Sequence, residues 1–122
     1  MISGTVTATR EAVVQLQVQD MEGEIHLFDA VVDTGFDGWL SLPTDFILQL
    51  GLKWLRFGRA ILADGSESTF DIYRGAIVWD GVTRSILIYA MDAEPLVGMS
   101  IMYGFRSLVE AIDGGKVSIT EM

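Results

Sequence analysis

The chain contains no cysteine, and that absence removes disulfides, thiolate metal sites and cysteine nucleophiles together. It has one histidine, His26, so a histidine-rich metal centre is excluded, and neither metal nor other cofactor is expected. Basic residues are scarce: eight Lys and Arg stand against seventeen Asp and Glu, for a formal net charge of -9. A surface of that sign repels phosphate backbones, which argues against nucleic acid as a partner. Apolar runs are only a few residues long, far short of a bilayer span, so no membrane insertion is expected. The opening residues Met1-Ile2-Ser3-Gly4-Thr5 carry neither the basic stretch nor the apolar stretch of a secretory leader. The expectation from these absences is a soluble cytoplasmic domain.

What is present is a chain of 122 residues, half of them apolar. That is the size of one domain, 1–122, able to bury a core without staples. Most of it reads with period 2, the signature of strands. Val13 to Val18 alternates as Val-Val-Gln-Leu-Gln-Val, Asp20-Met21-Glu22-Gly23 marks a turn, and Glu24 to Val32 resumes as a strand. Leu42-Pro43-Thr44-Asp45 then breaks the pattern. Phe46, Ile47 and Leu50 share a helical face, with Thr44 or Asp45 as cap and Gly51 as stop. Strand signals return over Arg59–Ala63, Thr69–Trp79 and Thr83–Met91, separated by Asp64-Gly65 and Asp80-Gly81, each expected to be a turn, the first a two-residue hairpin turn. Leu96 to Tyr103 reads as a strand running into a short helix, and Asp113-Gly114-Gly115 marks a last hairpin. Many short strands at this spacing predict an all-β domain, a closed barrel or sandwich with one or two short helices. His26 falls at an exposed strand position, Trp39, Trp54 and Trp79 read as partly buried packing residues, and Met91, Met99 and Met102 read as core filler.

The chemistry is concentrated in Ala30-Val31-Val32-Asp33-Thr34-Gly35, where an apolar strand delivers an aspartate into a tight turn. The triplet occurs once. By itself Asp-Thr-Gly also suits an ordinary turn in which the carboxylate bonds its own backbone. Its context is a glycine-bearing hairpin, Leu62-Ala63-Asp64-Gly65-Ser66, and a later apolar-apolar-glycine, Leu96-Val97-Gly98.

On these residues the chain resembles a retropepsin-like aspartic protease, in the style of the single-domain cellular members. The similarity rests on Val31-Val32-Asp33-Thr34-Gly35-Phe36-Asp37-Gly38 with Leu40-Ser41-Leu42-Pro43, on the Leu62–Ser66 segment placed like a flap, and on Leu96-Val97-Gly98-Met99-Ser100-Ile101-Met102 placed like the glycine-centred support. The resemblance implies that Asp33 is the catalytic carboxylate, that Thr34 holds the loop across a dimer axis, and that Gly35 permits close approach of the backbone. It implies that Asp37 faces the substrate main chain, that Ala63, Asp64 and Gly65 form the flap tip over an extended peptide, and that Gly98 supports the catalytic loop. Such chemistry needs two carboxylates sharing a proton, since like charges about 3 Å apart cannot both ionise. One triplet per chain therefore implies a homodimer acting on a peptide or protein substrate, with activity bell-shaped in pH and best on the acid side of neutrality. In the retroviral type the termini form the dimer sheet, which points to Ile2–Thr7 and Val117–Met122. The chain departs from the family pattern at Met99 and Ser100, where an anchoring hydrogen bond or ion pair is expected to be lost. The alternative is a catalytically silent peptide-binding or dimerisation module on the same fold.

Overall fold

The structure, a computed structural model, describes residues 1–122. It is all-β with two short helices: β1 (Ile2–Val6), β2 (Ala12–Gln19), β3 (Ile25–Val32), β4 (Leu40–Leu42), α1 (Thr44–Leu50), β5 (Lys53–Ile61), β6 (Glu67–Trp79), β7 (Val82–Ala90), β8 (Leu96–Val97), α2 (Met99–Met102), β9 (Phe105–Val109) and β10 (Lys116–Glu121). The strands form one sheet in the order β5-β6-β7-β4-β8-β3-β2-β1-β10-β9, and an added pairing of β6 with β2 partly closes it into a ring. No helix is long and apolar enough to cross a membrane.

The ring is built by alternation. In β2, Val14, Leu16 and Val18 are buried while Gln15 and Gln17 face out, so the period read from the sequence is the period of burial. The segment β4 has no alternation because both its faces are covered. Leu40, Ser41 and Leu42 are all buried, parallel to β7 on one side and antiparallel to β8 on the other. Ser41 is tolerated there because its Oγ accepts the Leu96 N–H at 3.1 Å. Inside the ring Leu40, Leu42, Ile47, Ile77, Trp79, Ile88 and Ile101 are wholly enclosed.

Strand β6 gives one of its edges to two partners. Its first half pairs with β5 from Glu67 to Arg74, and its last residues, Ala76 to Val78, pair with β2. The β5–β6 hairpin therefore projects from the ring as an arm, with nearly every residue from Arg59 to Thr69 exposed.

Both Asp-Gly sites are turns, of different kinds. Asp80-Gly81 is a true two-residue hairpin turn: Trp79 pairs with Val82, and Asp80 and Gly81 take φ of 50° and 80°. At the arm tip, Leu62 N–H donates to Ser66 O and Gly65 N–H to Leu62 O, with positive φ at Gly65 alone. That is a three-residue loop, Ala63-Asp64-Gly65, and not the two-residue turn predicted. The Asp64 carboxyl is held below its ordinary range by the Ser66 hydroxyl and N–H.

The helix α1 ends as expected, at Gly51 in the left-handed region with φ of 70°. Its start differs. Pro43 takes the N-cap position and neither Thr44 nor Asp45 caps it; instead Asp92, distant in sequence, accepts the Thr44 N–H at 3.1 Å. The terminal segments, to which the resemblance points as a dimer sheet, are paired within the chain. β1 lies between β2 and β10, and β10 lies between β1 and β9, so both strands have partners on both sides within the chain.

Candidate functional site

The strand β3 is held on one side by β2 and on the other, in parallel, by β8. Its last bond continues past the strand end, where Asp33 N–H donates to Val97 O at 2.9 Å. The chain then turns at once. Phe36 N–H reaches Asp33 O at 3.2 Å, and Gly35 N–H donates to Asp33 Oδ1 at 2.9 Å. A Cβ on Gly35 would meet only that carboxylate oxygen, at 3.2 Å. Asp33 is half-buried, while Thr34, Gly35 and Asp37 are exposed.

The loop from Asp33 to Trp39 is clamped onto the β8–α2 segment. Gly98 N–H donates to Trp39 O at 3.0 Å, Met99 N–H to Phe36 O at 2.8 Å and Ser100 N–H to Gly38 O at 3.1 Å. The approach needs glycine at Gly98, since a Cβ there would sit 2.1 Å from Gly38 O, although its φ of −98° suits any residue. Ser100 corrects an expectation. Its hydroxyl donates to Asp37 O at 2.5 Å, so the position supplies an anchor to the loop where one was expected to be missing.

Two cavities flank this loop. One, of about 460 Å³, is walled by Val6, Ala12, Val31, Val32, Val109 and Ile112, with Arg10, Glu11, Asp33 and Asp113 as its charged members. The other, of about 740 Å³, lies under the arm. Asp37, Phe36, Tyr89 and Met91 form its loop side, and Arg59, Ala60, Leu62 and Phe70 its arm side. Its aromatic wall is a connected set, with Tyr89 packed edge-on to Phe36 at 5.6 Å and tilted against Phe70 at 4.9 Å.

Within one chain the sequence-predicted residues therefore divide. Asp33 opens to the first cavity and Asp37 to the second. Gly98 lies buried beneath the loop that joins them, and Thr34 and Gly35 sit exposed on it. Ala63, Asp64 and Gly65 occupy the exposed arm tip and line neither cavity, whereas their neighbour Leu62 does line the second. Sequence reasoning missed Arg59, Leu62, Phe70 and Tyr89 as a wall, and Arg10, Ile112 and Asp113 around Asp33. Arg59, Leu62, Phe70 and Tyr89 read as strand residues and Asp113 as part of a turn, which is the one signal they offered.

Several single residues also turn out differently. Met91, expected in the core, stands on the cavity wall and is 39% exposed; Met99 is exposed too, and only Met102 is buried. Trp79 is wholly enclosed and Trp54 is exposed, while Trp39 is half-buried under the Arg84 guanidinium, 5.4 Å from its ring centre. His26 is half-buried beside Phe46 and bonded to Asp20 at 2.9 Å. With Glu24 these two bring possible ligand atoms within 4.8 Å of one another. The Asp20 oxygens are already engaged by His26 and by the Glu22 and Glu24 N–H groups, which hold its carboxyl below the ordinary range and organise the β2–β3 turn.

The chain matches no protein-family model, no curated protein and no solved structure.

Proposed function

We propose that this chain is an aspartic endopeptidase of the retropepsin-like type, active as a homodimer in which each copy supplies one Asp33. The observation that carries this reading is the loop itself. A carboxylate stands at a strand end, opens to a cavity, and rides on a backbone pinned to the Gly98 segment by four backbone hydrogen bonds, from Asp33, Gly98, Met99 and Ser100, and by the Ser100 hydroxyl. Preorganisation of that kind costs close packing at Gly98 and is what a reacting carboxylate needs.

In the dimer the two carboxylates would hold one water between them. One takes the water's proton as its oxygen attacks the peptide carbonyl. The other, protonated, polarises the carbonyl oxygen, and a proton passes to the departing amine as the tetrahedral intermediate collapses. The arm supplies strand edges for an extended substrate, and Asp37 with the aromatic wall lines the groove beneath it.

The competing reading is a catalytically silent peptide-binding or dimerisation module. The Asp33–Gly35 hydrogen bond favours it, because that bond alone gives the carboxylate a structural use in the turn. Cleavage of a peptide library from about pH 3.5 to 7.5, with a statine-type transition-state mimic as inhibitor, separates the two. As an endopeptidase the chain cleaves, is inhibited, and loses at least about 100-fold in rate on Asp33→Asn with fold and peptide affinity kept. Turnover that survives Asp33→Asn refutes the mechanism, and a folded dimer that binds peptide without cleaving it identifies the module.

A further inference from the structure

The partly closed ring leaves two open strand edges, β5 and β9. Such an edge presents unpaired N–H and C=O groups and is a template for another strand. The two are built differently. β5 carries Lys53, Arg56 and Arg59 and a break in register between Trp54 and Arg56, features that blunt an edge. β9 runs Phe105-Arg106-Ser107-Leu108-Val109 against β10 without a register break, and it contains no proline, glycine or acidic residue. Both edges are free of acidic residues, but pairing β5 with its copy would bring Lys53, Arg56 and Arg59 of each chain together, whereas β9 carries Arg106 as its one charge.

The ladder defines which backbone groups are free. Glu110 N–H donates to Lys116 O at 2.9 Å and Met122 N–H to Gly104 O at 3.0 Å, one at each end of the β9–β10 pair. Bonded pairs alternate along an antiparallel ladder, so Arg106 and Leu108 direct their backbone groups toward β10. Phe105, Ser107 and Val109 direct theirs outward. The side chains of those three lie on the inner face: Phe105 packs edge-on to Trp79 at 5.7 Å, the Ser107 hydroxyl reaches Met102 Sδ at 3.4 Å, and Val109 lines the Asp33 cavity.

We propose that β9 is the seam at which a second copy of this chain joins. Two β9 strands pair antiparallel about a two-fold axis at Ser107, with Phe105 of each opposite Val109 of the other, and the sheet continues across both chains. Antiparallel pairing of identical strands has the symmetry an isologous dimer requires. The proposal rests on reading Asp33 as half of a two-chain dyad. Val109, and the Ala111 and Ile112 that follow it, are walls of the cavity that holds Asp33, so a copy seated on β9 arrives at the site that is incomplete without it. The terminal strands offer little free edge, because β1 lies between β2 and β10, and β10 between β1 and β9, within the chain.

Amide hydrogen exchange on the full chain, at concentrations spanning the dimer dissociation constant, tests this directly. The Phe105, Ser107 and Val109 amides should exchange at least about tenfold more slowly in the dimer, while Arg106 and Leu108 stay protected at every dilution. Ser107→Pro removes the outward N–H at the axis and leaves the bonds to β10 in place. By symmetry it deletes two interchain bonds, which should weaken the dimer by about 100-fold, about tenfold for each, and cleavage should fall with the dimer population. A wild-type dimer whose three amides exchange at rates independent of concentration overturns the seam and leaves the protease reading standing. Cleavage by a monomeric Ser107→Pro protein overturns the dyad and not the seam. Asp33→Asn should lose cleavage while keeping the dimer and its protected amides.

Discussion

Gly98→Ala is the sharpest probe of how the Asp33 loop is held. The added Cβ would lie 2.1 Å from Gly38 O and 2.8 Å from both Gly38 C and Phe36 Cδ2. The nearest of these is backbone and cannot swing away, so reaching even 3.0 Å requires the loop and the β8–α2 segment to part by about 0.9 Å. That gap falls among the Gly98–Trp39, Met99–Phe36 and Ser100–Gly38 hydrogen bonds, which measure 3.0, 2.8 and 3.1 Å. Stretching three bonds at about 1 kcal/mol each, with overpacking strain of about 1–3 kcal/mol less whatever relaxation recovers, gives a loss of about 3–5 kcal/mol. The total stability of such a domain is about 5–15 kcal/mol, so the variant should unfold about 10–20 °C lower in a thermal scan followed by circular dichroism. The substitution carries no backbone strain of its own, since Gly98 has φ of −98°. The loss therefore reports the close approach alone. A change in Tm of less than about 3 °C would mean that the clamp is not tight in solution, and the argument for a preorganised carboxylate would fall with it.

Two further substitutions have defined outcomes, one at the same clamp and one at a pair of carboxylates elsewhere. Ser100→Ala deletes the hydroxyl bond to Asp37 O and leaves the Ser100 N–H bond to Gly38, so urea unfolding should show a loss of about 1 kcal/mol while turnover, where present, drops further than stability does; equal retention of both would demote Ser100 from anchor to bystander. Glu94 faces Glu11, whose hydrogen bond and charge push the Glu94 carboxyl above its ordinary value of 4.5. A group raised in the folded state gives its stabilisation in full below the ordinary value and loses it as pH rises through the folded one. Glu94→Gln should therefore raise Tm at neutral pH and leave it unchanged near pH 3, as thermal scans at the two pH values would read; equal shifts at both would remove the pair from the account.

The strands were legible because burial follows period 2 wherever one face meets the core, as in Val14, Leu16 and Val18. What was not legible depends on partners far along the chain. Asp64-Gly65 and Asp80-Gly81 are the same dipeptide, yet one closes Trp79 on Val82 directly and the other belongs to a three-residue loop between Leu62 and Ser66. Strand register decides this, and no dipeptide encodes register. The cap of α1 was misplaced for a similar reason: Asp92 reaches Thr44 only because β7 runs parallel to β4 and ends beside it. Likewise nothing local in the two terminal segments shows that β1 and β10 pair with each other, Ile2 opposite Ile119.

The site divides along the same line. Asp33, Asp37 and Gly98 lie where a strand stops or the backbone comes closest to itself, and such positions leave a local mark: an acid after an apolar run, a glycine after two apolar residues. The arm-side wall leaves none, because Arg59, Leu62 and Phe70 are ordinary strand and turn residues until the arm projects from the ring over Tyr89. Ser100 shows the limit of matching residue types to roles. An anchoring hydrogen bond or ion pair was expected to be lost there, yet the loop presents the Asp37 backbone carbonyl, and a hydroxyl donor at 2.5 Å suffices for it. The physical requirement is a donor from the start of α2 to the loop, and two residue chemistries can meet it. Rigidity at the loop is therefore to be judged from the bonds around Asp33 and not from the identity of residue 100, and one loop so held in each of two chains is what a shared proton between them requires.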